Sequence, residues 1–247
     1  MSYRVVGEGK PVVLLHGSMI NDPWEGFEEK LAKFYRVYLP DLPGFGASDA
    51  VEGERHNTDL FAQALCQLLE REKLQDAPII ALSLGTVVAV KAAERGCTQG
   101  KLALVGMPGK VARGWKTELA RIIPIPIAHW LVTTRWGKEK LLIPAVSENI
   151  GERNRGLQEE FLRQLEITDP RAIVEVDYKK EIEQDLRASW ARVKNERVVI
   201  YGELDAQKDT TLDLAREYIT IPEAGHSVFR YQPGKALEVI REIIPSQ

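Results

Sequence analysis

A chain of 247 residues with 44% hydrophobic side chains can bury a sizeable core and is of a size for one domain with an insertion. Its 33 basic and 36 acidic residues give a formal net charge of -3, with no basic stripe for a polyanion and no like-charge tail, so no nucleic-acid partner is expected. The opening MSYRVVGEGK lacks the features of a secretory signal, and the most apolar stretch, Ile122 to Val132, contains Pro124, Pro126 and His129 and is too short to span a bilayer; a soluble, cytoplasmic protein with no membrane partner is expected.

In chain order, the first long strand is expected at "VVLL", 12–15, and runs into "HGSM", where Gly17 permits a tight backbone path. His16 is read as a structural hydrogen-bonding residue, while the N–H of Ser18 is a candidate donor to a developing oxyanion. A second strand is expected at "VYL", 37–39. "NTDLFAQALCQLLEREK" then places Leu60, Ala64, Leu65, Leu68 and Leu69 on one helical stripe behind Asn57 or Thr58 as cap. Cys66 and Cys97 stand isolated within helix-like segments and are expected to be reduced packing residues.

The strand "PIIAL", 78–82, turns directly into the helix "TVVAVKAAERG" through "ALSLG", 81–85. A serine on so sharp a bend requires small neighbours two residues away on each side, and Ala81 and Gly85 meet that limit. The bend would aim the Ser83 hydroxyl outward and leave the N–H of Leu84 at a helix N-terminus, where negative charge is favoured. A Ser83 that merely caps the helix is the competing reading.

A strand at "LALV", 102–105, precedes a region, 107–190, without strand patterning and with charged helical segments, expected to be a helical cap inserted into a core of 1–106 and 191–247. The apolar "IIPIPIAHWLV" either walls a pocket or packs the cap onto the core, and Arg113, Lys116, Arg121 and Arg135 are read as solvated surface. After the strand "VVIY", 198–201, come two acids, Glu203 and Asp205, and after "YITI" the loop "PEAGHS" carries His226 behind a glycine. A closing helix is expected at "GKALEVIREII". His56 and His129 are read as solvated or packing residues. Alternating strands and helices imply a parallel sheet wrapped by helices. No phosphate-loop spacing and no metal-ligand spacing occurs.

With these motifs in place, the chain resembles the α/β-hydrolase fold family over nearly its whole length. The resemblance is carried by "HGSM", "DLPGFGAS" at 41–48, "ALSLG", "GELD" at 202–205 and the Gly225-His226 pair. Where the family's elbow usually starts with Gly, this chain has Ala81. The resemblance implies a mostly parallel sheet flanked by helices with a helical cap, and a serine hydrolase, carboxylesterase-like. Ser83 would be the nucleophile, His226 the base, Asp205 its orienting acid, and the amides of Ser18 and Leu84 the oxyanion hole. Asp209 and Asp177 are the alternatives to Asp205, and Glu203 would be a bystander. No cofactor is implied; the partner would be a small to medium ester, with substrate-binding residues and oligomeric state unspecified. A thioesterase, lactonase, amidase, C–C bond hydrolase or slow-turnover ligand receptor would use the same parts.

Overall fold

A computed structural model describes residues 1–18, 23–24, 26–108, 124–142, 155–178, 185–205, 207–208 and 218–245. Seven strands form one sheet: β1 (Tyr3–Val6), β2 (Pro11–Leu15), β3 (Arg36–Pro40), β4 (Ile79–Leu82), β5 (Leu102–Val105), β6 (Arg197–Gly202) and β7 (Tyr218–Ile221), in the spatial order β1-β3-β2-β4-β5-β6-β7. The chain is thus an α/β fold with a mostly parallel central sheet. Only β1 is antiparallel, pairing Tyr3 with Pro40. It was not among the expected strands because it is an edge strand: Arg4 and Val5 face solvent, so "YRVV" has no buried apolar run.

The inner strands are apolar throughout because both sheet faces are covered. Val13, Leu15, Ile79, Ala81, Leu102, Leu104 and Tyr201 join one core with α2 (Thr58–Arg71) and α3 (Leu84–Glu94). Their sequence neighbours Val12, Leu14, Ile80, Leu82, Ala103, Val105 and Ile200 point the other way. There they pack with α1 (Phe27–Leu31), the short helix α9 (Val228–Tyr231) and the closing helix α10 (Pro233–Ile243). The cap of α2 is Asn57, whose side chain accepts the Leu60 N–H at 2.8 Å. Its buried stripe is Phe61, Ala62, Leu65, Leu68 and Leu69, with Leu60 and Ala64 only half-buried; the stripe is rotated from the expected one because Phe61 turns into the core against Phe45.

Between β5 and β6 the described residues are helical: α4 (Ile125–Thr133), α5 (Arg135–Gly137) with a π-turn at Lys138–Leu142, α6 (Arg155–Glu166), α7 (Pro170–Ile173) with a π-turn at Val174–Tyr178, and α8 (Arg187–Arg192). The last of these packs on α3 and ties to it through Arg192 and Glu94. Arg113, Lys116 and Arg121 lie outside the described residues, whereas Arg135 is exposed and paired with Glu139 at 2.7 Å. On α4, Ala128 and Val132 are buried while Ile125, Ile127 and Trp130 are exposed. Among the described residues no helix is long and apolar enough to cross a membrane.

The cysteine expectation is corrected. Cys66 and Cys97 form a disulfide, with Cα atoms 5.2 Å apart across a sequence separation of 31. The reason is tertiary: α2 and α3 lie side by side, and the chain turns at Gly96 (φ +75°) so that Cys97 comes back beside α2. Neither the spacing nor the local pattern of either cysteine announces that meeting.

Candidate active site

Five consecutive strands of the sheet, β2, β4, β5, β6 and β7, end on the side where the chemistry-bearing residues gather, as expected for an open parallel sheet. Ser83 stands between β4 and α3 with φ 50° and ψ -117°, a strained positive-φ conformation that an L-residue adopts only when its surroundings force it. The forcing contacts can be named. The Ser83 N–H donates to Val105 O at 2.9 Å, and its carbonyl accepts both the N–H (2.9 Å) and the hydroxyl (2.6 Å) of Thr86. Although Ser83 occupies the cap position of α3, its side chain makes no capping hydrogen bond. The plain-cap reading therefore lacks the bond that defines it.

Close approach of β2 explains the flanking glycines. A Cβ on Gly85 would fall 2.6 Å from His16 O and 2.7 Å from Leu15 O, and one on Gly17 would fall 3.1 Å from Ser83 Cβ. Ala81 is accommodated: its methyl is fully buried in the core shared with α2 and α3. Ser18 follows Gly17 in a half-buried bend, on the same side as the start of α3. Leu84 opens that helix, so its N–H has no intrahelical acceptor.

Asp205 and His226 meet across 20 intervening residues: Nδ1 of His226 lies 3.0 Å from Asp205 Oδ2, with both side chains buried. Facing a carboxylate, Nδ1 carries the proton and donates it. The other Asp205 oxygen accepts the Gln207 N–H at 2.9 Å. The two loops are zipped together by backbone bonds from Glu203 to Ile221 O and from Leu204 to Ala224 O, both 2.9 Å. Glu203, read as a bystander to the chemistry, joins this zipper structurally: its carboxylate accepts the N–H of Glu223, a residue at φ 56° in the histidine loop. Of the alternative acids, Asp209 and the side chain of Asp177 lie outside the described residues.

The other histidines are occupied elsewhere. His16 is fully buried; its Nδ1 donates to Gly17 O at 2.6 Å and its Nε2 accepts the Leu42 N–H at 2.9 Å. Burial holds its pKa below the usual imidazole value, so the ring is a neutral structural brace. His56 is also fully buried and meets Glu175 at 2.9 Å, while His129 is half-buried in α4. Among the described residues no group of three or more His, Cys, Asp or Glu is arranged to hold a metal ion.

A model of the alpha/beta hydrolase family matches residues 12–238. The chain belongs to the alpha/beta hydrolase family. It is accordingly a hydrolase of that family. The hydrolase is 26% identical over 268 aligned positions to the pimeloyl-[acyl-carrier protein] methyl ester esterase of Aeromonas salmonicida, covering 99% of each chain. It is 38% identical over 113 positions, 43% of its own length and 40% of the relative's, to the 2-hydroxy-6-oxononadienedioate/2-hydroxy-6-oxononatrienedioate hydrolase 2 of Pseudomonas putida. Among solved structures, an esterase from Thermogutta terrifontis superposes with a TM-score of 0.78 at 22% identity, covering 98% of this chain and 91% of the other.

One contact in the hydrolase was not anticipated. Gly106, directly after β5, adopts φ 57°, and a Cβ there would lie 2.8 Å from His226 Cε1 and 3.5 Å from Asp205 Oδ2. Its only sequence signal is a glycine closing an apolar strand, which a simple turn explains equally well.

Proposed function

We propose that the hydrolase cleaves a small to medium carboxylic ester through an acyl-enzyme on Ser83, with His226 as base and Asp205 as its orienting acid. The observation that carries this reading is the end of β5. Val105 O accepts the Ser83 N–H, and the next residue, Gly106, lies against the His226 ring, so one dipeptide abuts both the elbow serine and the histidine–carboxylate pair.

Each part has a task that its environment suits. Asp205 Oδ2 fixes the Nδ1–H tautomer of His226, which leaves Nε2 unprotonated to take the proton of Ser83 as the hydroxyl attacks the ester carbonyl. Negative charge developing on the carbonyl oxygen is met by the Leu84 N–H at the start of α3 and by the Ser18 N–H. His226 then protonates the leaving alcohol and, in the second half, activates water to release the acid. An ester is favoured over a C–C bond because the whole-length relative is named a methyl ester esterase, whereas the C–C bond hydrolase aligns over less than half of the chain. The described helices between β5 and β6 act as a cap over this end of the sheet, and the apolar residues Ile125, Ile127 and Trp130 of α4 favour apolar acyl groups.

A panel of p-nitrophenyl esters of increasing acyl length tests the reading, with a fluorophosphonate as probe. Steady turnover and labelling at Ser83 are expected. Ser83→Ala and His226→Ala should abolish turnover, and Asp205→Asn should lose on the order of 10⁴-fold, the loss typical of a triad whose base is held in the wrong tautomer. Turnover by purified Ser83→Ala protein overturns the mechanism; fast labelling without repeated turnover identifies a ligand receptor instead.

A further inference from the structure

We propose that Gly106, held in place by Tyr201, is a positioning residue for the His226 ring. The proposal rests on the reading of His226 as the base. Gly106 is fixed from two sides. Its N–H donates to Ile200 O at 2.9 Å, continuing the β5–β6 ladder by one residue. The following carbonyl, Met107 O, accepts the hydroxyl of Tyr201 at 2.9 Å. Tyr201 itself is 1% exposed and braced edge-on by Tyr218 at a ring separation of 5.7 Å. Its hydroxyl therefore fixes the backbone just beyond the point where β5 stops pairing.

Pinned in this way, Gly106 takes a φ of 57° and presents bare backbone to the histidine. The virtual Cβ contacts define what would be lost: 2.8 Å to Cε1, 3.0 Å to Nδ1 and 3.5 Å to Asp205 Oδ2. A side chain there would press on the Nδ1 and Cε1 atoms of the imidazole, next to the bond between Nδ1 and its carboxylate. Glycine is therefore needed twice, for the left-handed backbone and for the ring's seat. With the Asp205 bond on one nitrogen and a fixed backbone beside the Nδ1–Cε1 edge, the ring is limited in the rotations that would carry Nε2 away from Ser83. Small displacements matter here, because a misplacement of about 1 Å in a reacting group can slow catalysis on the order of 10²-fold.

Gly106→Ala and Tyr201→Phe test the assignment, with concentrations normalised by fluorophosphonate titration so that lost folding is not counted as lost catalysis. For Gly106→Ala, kcat should fall on the order of 10²-fold with KM within about threefold of wild type. Weakening the Asp205 bond also destabilises the imidazolium, so the acidic limb of kcat/KM should move to lower pH. Tyr201→Phe keeps the ring and its packing and removes only the hydroxyl. It should reduce kcat about three- to tenfold and move the limb the same way, and it decides the matter if Gly106→Ala does not fold. Wild-type kcat and an unmoved acidic limb in folded Tyr201→Phe, or in Gly106→Ala where it folds, overturn the proposal. His226→Ala separates the two levels: if it is inactive while the positioning variants behave as wild type, only this inference falls, whereas turnover by His226→Ala removes the base assignment beneath it.

Discussion

His16 has both ring nitrogens committed: Nδ1 donates to Gly17 O, and Nε2 accepts from the Leu42 N–H. A second proton would have to sit on Nε2, facing a donor, in a fully buried ring. Burial is the main cause of its lowered pKa, set against smaller raising effects from the Gly17 carbonyl and Asp41. The folded-state pKa thus lies below the ordinary 6.5. Between those two values the unfolded chain binds more protons than the folded one, so stability rises with pH through that window. The contribution is complete above 6.5 and is lost as pH falls toward the folded-state value. Thermal melts of wild type and His16→Gln across this range should show a stability difference that shrinks as pH falls; a constant difference rejects the assignment. The same residue scale marks what a sequence can disclose. Ser83, Gly85 and His16 were legible because an elbow and a strand-ending His-Gly are local patterns. The Glu203 and Gly106 contacts were not, since their partners lie across loops far away in the chain.

At the scale of elements, most strands were legible because burial on both faces leaves unbroken apolar runs, and β1 was not because an edge strand needs none. The helix pair α2 and α3 carries the one covalent feature that sequence reasoning read the other way. Their disulfide closes a loop over a separation of 31 residues. In the chain-entropy view a cross-link of that span removes unfolded-state freedom equivalent to about 3–4 kcal/mol, an upper figure wherever the reduced chain keeps residual structure. The pair Lys91 and Asp59, 2.7 Å apart, already joins the same two helices, so the fold should survive reduction with a lower melting temperature. Thiol titration of denatured protein should find no free thiol before reduction, and Cys66→Ala/Cys97→Ala should melt about 10 °C lower. Unchanged melting on reduction would show that the bridge constrains nothing the helices do not already fix.

At the scale of the whole molecule, the segment between β5 and β6 is attached to the loop after β3 as well as at its own ends. Gly44 O accepts the Asp169 N–H at 2.7 Å, and a Cβ on Gly44, at φ 83°, would strike the Ala172 methyl at 2.9 Å. Beside it, Glu175 accepts two bonds from His56, from the backbone N–H at 2.7 Å and from Nδ1 at 2.9 Å. Leu42 in that same loop is hydrogen-bonded to His16, next to Gly17 and Ser18. The docking point of this segment was not legible in the sequence, because His56 in a polar stretch gives no sign of being fully buried. Removing the carboxylate should expose the value of this attachment. Glu175→Ala leaves two donors of a buried residue without their acceptor, at about 1–3 kcal/mol each, whereas Glu175→Gln keeps an acceptor and should lose less. Hydrogen exchange should quicken in the loop around residues 41–56 and in the 170–178 segment of the alanine variant, while β4, β5 and β6 keep their protection. Uniform quickening across the sheet would instead mean that the insertion and the core open as a single unit.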